Sequence, residues 1–426
     1  MRILYVSQYY PPEMGAPAAR VSELARAWAA AGADVTVLTG FPNHPTGVVP
    51  PAYRGQLWRR ETDAGVRLVR APIYAAANKA LIKRSLNYAS FAASAAAFGP
   101  LLVEQRPDVV LATSPQFLVG VAGYWLAKLY RRPFVLEVRD LWPRSIVEVG
   151  ALKDGSAPVR ALEQVERFLY AHADRVVAVT DAFVDHIAAH GAARERISVV
   201  KNGVDLELFS PQPRDNAARR RLGLGERDTL VTYIGTHGLA HGLDTLLDCA
   251  KALAARGRAD VRFLLVGEGA EKARLRARVA AESLSNVTML DQRPRDEVAE
   301  LLAASDLCAV LLKDKPLFRS VLPSKIFECL GAGRPVLLGV DGEARALVEE
   351  AGAGVFVPPE DAAALAAAVE TLAADRPRRE AMGRAGRAFV ERRFSRTALA
   401  HDYLELLAKV ANKPGAALAH GTEAAA

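Results

Sequence analysis

Between Lys313 and Pro335 the chain reads KDKPLFRSVLPSKIFECLGAGRP, its densest set of groups suited to chemistry. A strand is expected to end near Leu312 and a basic loop to follow it. Pro323-Ser324 then opens a short helix whose last turn is Gly331-Ala332-Gly333. Ser324 has the side chain of a helix N-cap, and Glu328 stands one turn further on. A carboxylate placed there can accept two hydrogen bonds from a ribose diol. Arg319 and Lys325 offer the positive charge that a departing diphosphate needs. The residues alone equally allow Glu328 to do no more than pair with Lys325 on the helix surface.

Three further loops lie where a strand passes into a helix. Gln8 to Arg20 (QYYPPEMGAPAAR) is proline-rich and sets Gly15 just before a helix. A glycine there lets the backbone approach a phosphate, and the first amides of the helix can donate to it. A plain turn accounts for that loop as well. Gly235 to Gly242 (GTHGLAHG) places His237 and His241 among glycines, where they could contact a diphosphate, and Gly267 to Lys272 (GEGAEK) repeats the arrangement. Neither half carries the Gly-x-Gly-x-x-Gly turn of a dinucleotide fold or a Walker-type lysine loop, which argues against a dehydrogenase and an ATPase. No Asp-x-Asp pair suited to Mg²⁺ or Mn²⁺ stands at a strand end, so no metal is expected.

The elements that must position these loops alternate short β-branched runs with alanine-rich helical runs, the pattern of a parallel sheet with crossover helices. In the first half, strands are expected at Ile3–Ser7, Asp34–Thr39, Val66–Arg70, Val109–Ala112, Phe134–Val138 and Arg175–Val179, with helices such as Ala18–Ala31 and Phe117–Leu129 between them. A charged, turn-rich segment reaching Arg227 reads as a linker. The pattern then restarts with a strand at Thr229–Tyr233, a helix at Leu243–Ala255, and strands at Arg262–Val266, Val287–Leu290, Leu307–Leu311 and Pro335–Gly339. Two doubly wound α/β domains follow, each with ligand loops at the carboxyl ends of its strands, facing one another across a cleft. The expected division is 1–200, 201–395, a C-terminal helix at 396–412 packing back on the first domain, and a disordered tail at 413–426.

The 426 residues exceed one comfortable core, and 51% hydrophobic with 24% charged residues is ordinary globular composition. No secretory signal is visible at the N-terminus, and Cys249, Cys308 and Cys329 have no metal-ligand spacing. Buried free thiols in a reducing, cytoplasmic compartment are expected. The net charge of +7 is spread along the chain without the dense basic stripe of a nucleic-acid binder, so it suits phosphate-bearing substrates or an anionic membrane face. Ser85–Val103 carries no charge, but its Ala/Ser content and Gly99-Pro100 predict a packed helix and not a span. Lys79, Lys83 and Arg84 before it could hold that helix against lipid headgroups.

Pro-Ser-Lys-Ile-Phe-Glu at 323–328, Gly-x-Gly-x-Pro-Val at 331–336 and Asn202-Gly203-Val204-Asp205 upstream resemble the retaining glycosyltransferases of family four, with the GT-B fold. The resemblance runs from Tyr-Pro-Pro at 10–12 to the Phe-Ser that ends at Ser395. Glu137–Ser145 (EVRDLWPRS) narrows it to bacterial enzymes adding fucosamine-type sugars in O-antigen and capsule assembly. It implies a nucleotide-sugar donor, with UDP and an N-acetylated deoxyhexose such as N-acetylfucosamine as the expected pair and GDP-fucose as the other choice. It also implies a lipid-linked saccharide acceptor, no cofactor beyond the donor, and peripheral association with the inner membrane face.

By position, the resemblance implies that Glu328 holds the donor ribose, that Gly15 lies under the donor phosphates, and that Asp140 orients the acceptor or donor sugar. The other reading of Asp140 is a buried salt bridge to Arg139 or Arg144. Two departures stand out. The first of the family's two glutamates is Ser320 here, and its usual basic pair reads His237 and His241, which carry less charge. Lys272, ahead of Arg319 and Lys325, is therefore expected to supply the missing charge. Rival readings are a nucleotide-sugar 2-epimerase on the same fold and a non-catalytic solute-binding protein.

Overall fold

The computed structural model describes residues 1–413 except Met14, Pro45, 77–80, Pro115, Gln116 and Val149. Lys79 and residues 414–426 of the tail expected to be disordered lie outside the described residues. The chain divides into two compact units, residues 1–201 with the C-terminal helix, and residues 202–396.

In the first unit the strands are β1 (Arg2–Val6), β2 (Asp34–Gly40), β3 (Arg59–Asp63), β4 (Val66–Ala71), β5 (Val109–Thr113), β6 (Phe134–Val138), β7 (Arg175–Ala178) and β8 (Ile197–Val199). They form one sheet in the order β3-β4-β2-β1-β5-β6-β7-β8. Every neighbouring pair is parallel except β3–β4. β5 and β6 are buried along their whole length, as expected of parallel strands covered on both faces, and this is why they read as unbroken apolar runs. Missed by the apolar pattern are the three-residue, half-buried edge strand β8 and, at the opposite edge, β3. Its RRETD sequence alternates half-buried and exposed positions, and it is held at the edge by antiparallel pairing to β4 and an Arg70–Glu61 ion pair.

The helix Leu81–Leu102 occupies the uncharged stretch, with Pro100 in its last turn. Its buried Asn87 accepts from Gln8 Nε2 (2.7 Å) and donates to Asn43 Oδ1 (3.1 Å), polar contacts that tie it to the domain. No helix among the described residues is long and apolar enough to cross a membrane. The C-terminal helix Arg396–Val410 packs on this unit: the buried Trp28 indole donates to the Ala400 carbonyl (2.8 Å) and meets Tyr403 edge-on at 5.3 Å.

The second unit holds β9 (Thr229–Ile234), β10 (Val261–Val266), β11 (Val287–Leu290), β12 (Leu307–Leu311), β13 (Val336–Gly339) and β14 (Gly354–Phe356). All are parallel, in the order β11-β10-β9-β12-β13-β14. The segment read as a linker is instead part of this unit. Arg219, on the short helix Ala217–Arg221, is buried and pairs with buried Asp306 (3.0 Å) while donating to the Ala304 carbonyl (3.0 Å). Asp306 also accepts from Arg214 (2.9 Å) and from the Leu230 amide (2.8 Å). Charge density alone suggested solvent; pairing with a carboxylate 87 residues away buries the arginine. The three cysteines are free and buried.

Candidate functional site

From β9 the sheet is built outward in both directions, β10 and β11 on one side and β12 to β14 on the other. Where strand order reverses, the loops leaving the two central strands part and open a crevice at their carboxyl ends. Here those are the loop after Ile234 and the segment between Leu311 and the helix Lys325–Gly331. A small cavity near this end is lined by Thr232, Ile234, Lys325, Glu328 and Cys329, among others.

The two glycine-bearing loops are pressed together. A Cβ on Gly267 (φ +152°) would lie 1.8 Å from the Gly235 carbonyl oxygen, and one on Gly269 2.3 Å from that of His237. His237 N donates to the Glu268 carbonyl (2.8 Å), and Glu271 N donates to that of His237 (2.9 Å). These glycines let two loops lie backbone to backbone, which fixes the His237 ring beneath them.

At that ring and beside it, two polar side chains lack partners. His237 is fully buried and neither ring nitrogen has a hydrogen-bond partner. Burial, followed by Lys272 and Lys325, pushes its pKa down to about 4; burial pushes His241 down to about 3, so both are neutral. Tyr233, which sequence reasoning missed, stands between them with ring centroids at 5.9 and 6.2 Å. Its hydroxyl donates to the Thr236 carbonyl (2.8 Å). Over its face lies Lys325, with Nζ 4.0 Å from the ring centroid and no hydrogen-bond partner. A Cβ on Gly235 would come within 2.7 Å of that Nζ, and its φ of +149° itself favours glycine. Burial lowers Lys325 to about 8.

Glu328 does not take Lys325 as its partner. Its carboxylate lies 3.9 Å from the Arg295 guanidinium, a residue not anticipated, and burial raises its pKa in spite of that charge. Arg295 lies 33 positions upstream at the start of another helix (Arg295–Ala304), and nothing in local spacing signals the pairing. Ser324 occupies the N-cap position with helical torsions (φ −58°, ψ −27°) and its hydroxyl makes no capping bond, because capping needs an extended residue there. Lys272 is bound by two carboxylates, Glu268 and Asp291 (2.5 Å to the latter), so its charge is already engaged. Arg319 is exposed and faces Asp314 (3.8 Å). Ser320 Oγ donates to the Leu317 carbonyl (2.6 Å) at the close of a 3₁₀ turn.

In the first unit Gly15 caps the helix Ala16–Ala30 with φ +131°, a torsion reserved for glycine, and its carbonyl accepts from Ala19 N (3.0 Å). Asp140 forms no ion pair with either neighbouring arginine: Arg139 donates to the Ala16 and Pro17 carbonyls (3.0 and 3.2 Å), and Arg144 pairs with Glu148 (3.9 Å). Burial raises the Asp140 carboxyl to about 6. Glu13, in the loop after β1, was not foreseen. One of its oxygens accepts the Asn43 and His44 amides (2.8 and 2.9 Å), the other has no partner, and burial raises it to about 7. A lone acid in an uncharged proline-rich loop was the available signal. Among the described residues one group has metal-ligand chemistry, Glu166 with His186 and His190; His186 Nε2 and Glu166 Oε1 lie at hydrogen-bond distance (3.0 Å).

Residues 15–203 match the family model described as glycosyl transferase 4-like domain, and residues 215–389 that of glycosyl transferases group 1. The chain is 26% identical over 379 residues to the putative colanic acid biosynthesis glycosyl transferase WcaI of Escherichia coli K12, covering 87% of this chain and 91% of that one. Among solved structures it is similar to sucrose-phosphate synthase from Thermosynechococcus elongatus, with a TM-score of 0.74 at 21% identity over 96% of this chain and 98% of that one. It is also similar to Anabaena Alr3699/HepE in complex with UDP-glucose, with a TM-score of 0.70 at 20% identity over 96% and 100%. At such identities the two structures speak for the fold. With one glycosyltransferase domain matched in each half and two mostly parallel sheets, the chain belongs to the family-four glycosyltransferases of the GT-B fold.

Proposed function

We propose that the protein takes a sugar, retaining its anomeric configuration, from a nucleoside-diphosphate donor held at the carboxyl ends of β9, β10 and β12. The observation that carries this reading is Lys325: a buried ammonium without a hydrogen-bond partner, beside two orphaned His237 nitrogens. Buried polar groups are nearly always satisfied, so a cation and the one N–H of a neutral imidazole left open together fit an anion that accepts from both. In this reading Lys325, not Lys272, neutralises the diphosphate. Neutral His237 and His241 offer ring N–H groups, and Glu328, steadied by Arg295, accepts the ribose hydroxyls.

Departure of the diphosphate is then assisted by side-chain cations and backbone amides without a metal ion. Same-face attack, with the leaving phosphate taking the acceptor proton, gives retention without a protein nucleophile. Asp140 orients a sugar hydroxyl, and Gly15 approaches phosphate. UDP is favoured as the nucleotide because the similar Anabaena protein is described with UDP-glucose, and an N-acetylated deoxyhexose because of the EVRDLWPRS segment. The similarity to a colanic acid enzyme supports cell-surface polysaccharide synthesis, with a lipid-linked saccharide acceptor on the inner membrane face.

Calorimetric titration with UDP, GDP, ADP and dTDP tests the donor site. UDP should bind best and Glu328→Ala should weaken it. Equal, weak binding of all four would remove the donor site from this crevice. Conversion of the donor to a second nucleotide sugar without acceptor would turn the reading to an epimerase.

A further inference from the structure

On the first unit, the helix Leu118–Tyr130 leaves an apolar stripe in solvent: Val121, Trp125 and Leu129, one turn apart and 39%, 44% and 50% exposed. Phe168, also exposed, extends the stripe from the neighbouring helix Ala157–His172, to which it is joined through Tyr124 (centroids 5.0 Å apart). Leu101, at the end of the helix whose Gly99 packs on Leu126, adds another apolar side chain. Large side chains grouped like this mark a contact surface.

Its electrostatics identify the occupant. No acid occurs between Pro115 and Leu136, while Lys128, Arg131 and Arg132 do. Arg106 donates to the Tyr130 carbonyl (2.6 Å), and Arg160 and Arg167 are exposed on the adjacent helix. None of these six is paired with a carboxylate among the described residues; Lys128 lies over the Tyr124 ring (5.3 Å). The apolar patch near Trp58 differs, for Arg59 and Arg60 there are paired with Glu61 and Glu104. A second copy of the chain docked by a two-fold axis would set this cationic rim against itself, which disfavours a dimer. An apolar stripe holding a Trp, flanked by Arg and Lys without carboxylate partners among the described residues, matches an anionic bilayer surface: the indole and leucines enter the headgroup boundary, and the cations meet lipid phosphates.

We infer that the face formed by Val121, Trp125, Leu129 and Phe168 docks this protein on anionic lipid headgroups. The inference rests on the proposed lipid-linked acceptor only for its purpose, and it differs from the headgroup contact expected at Lys83 and Arg84.

Sedimentation of the full chain with vesicles of phosphatidylcholine, alone or mixed with phosphatidylglycerol, tests it. The protein should bind the mixed vesicles, in a salt-sensitive way, and bind neutral ones weakly. Trp125→Glu with Leu129→Glu should lower the partition coefficient by about tenfold or more, and Lys83→Glu with Arg84→Glu should lower it far less. Unchanged circular dichroism and UDP affinity show that each variant is folded. Binding lost through Lys83 and Arg84 but kept without Trp125 and Leu129, or no binding of the wild type to either vesicle, overturns the assignment. Donor hydrolysis in detergent-free buffer is measured in parallel. Its absence from the wild type would count against the transferase reading and leave the vesicle result standing.

Discussion

Lys325→Met is expected to weaken nucleotide binding and, at the same time, to stabilise the empty protein. The lysine sits in the folded state with its pKa lowered to about 8 by burial, against about 10.4 in an unfolded chain. A group whose charged form is disfavoured by folding costs stability wherever both states are protonated, here below pH 8. The cost is relieved as pH rises from 8 towards 10.4. Two to three pKa units correspond to about 3 kcal/mol, of which partial exposure of the side chain and the lost contact with Tyr233 leave about 1–2 kcal/mol of gain for the variant. Methionine keeps the apolar stem, so cavity formation adds little. The midpoint of thermal unfolding at pH 7 should rise by about 2–8 °C, and the gain should vanish near pH 10.

For the ligand the sign is opposite. A charge-assisted hydrogen bond is worth about 1.5–3 kcal/mol, so the Kd for UDP should rise about ten- to a hundredfold. In the wild type, affinity should hold below pH 8 and fall by up to about tenfold per pH unit above it, since only the ammonium form binds. In the variant that slope should be gone. Calorimetry between pH 7 and 10, with thermal unfolding on the same samples, reads both effects. A variant that binds UDP like the wild type, or that unfolds at lower temperature without nucleotide, would refute the assignment of an unsatisfied, ligand-seeking cation.

Gly267→Ala should destabilise the second unit by about 3 kcal/mol or more, seen as a lower urea midpoint, because its methyl would meet the Gly235 carbonyl at 1.8 Å. Asp306→Ala should cost about 3–5 kcal/mol in the same assay, since Arg214 and Arg219 would lose their buried counter-ion. Asp140, raised to about 6, is ionised above that pH; activity limited by its carboxylate should fall as pH drops through 6, and Asp140→Asn should lower kcat and abolish that acid limb. Transfer activity should persist in excess EDTA after dialysis, and a loss restored by Mg²⁺ or Mn²⁺ would refute the metal-independent reading.

Read from the sequence alone, central strands such as β5, β6 and β12 were legible because each is buried on both faces and so must be a short apolar run, whatever its neighbours are. The loops at their ends were legible too, since glycine, proline and histidine gather in them, as in QYYPPEMG at 8–15 and GTHGLAHG at 235–242. β3 was not, because an edge strand covered by pairing to one neighbour needs no apolar face. Charge partners were beyond reach for a different reason. Glu328 meets Arg295, Lys272 meets Asp291 and Arg219 meets Asp306 through the stacking order of strands and helices, and composition looks the same whether a lysine is neutralised or left bare. The chain therefore announced that cations stand near a crevice. Only the folded packing decided that Lys272 is already engaged by two carboxylates while Lys325, over the Tyr233 ring, has no hydrogen-bond partner.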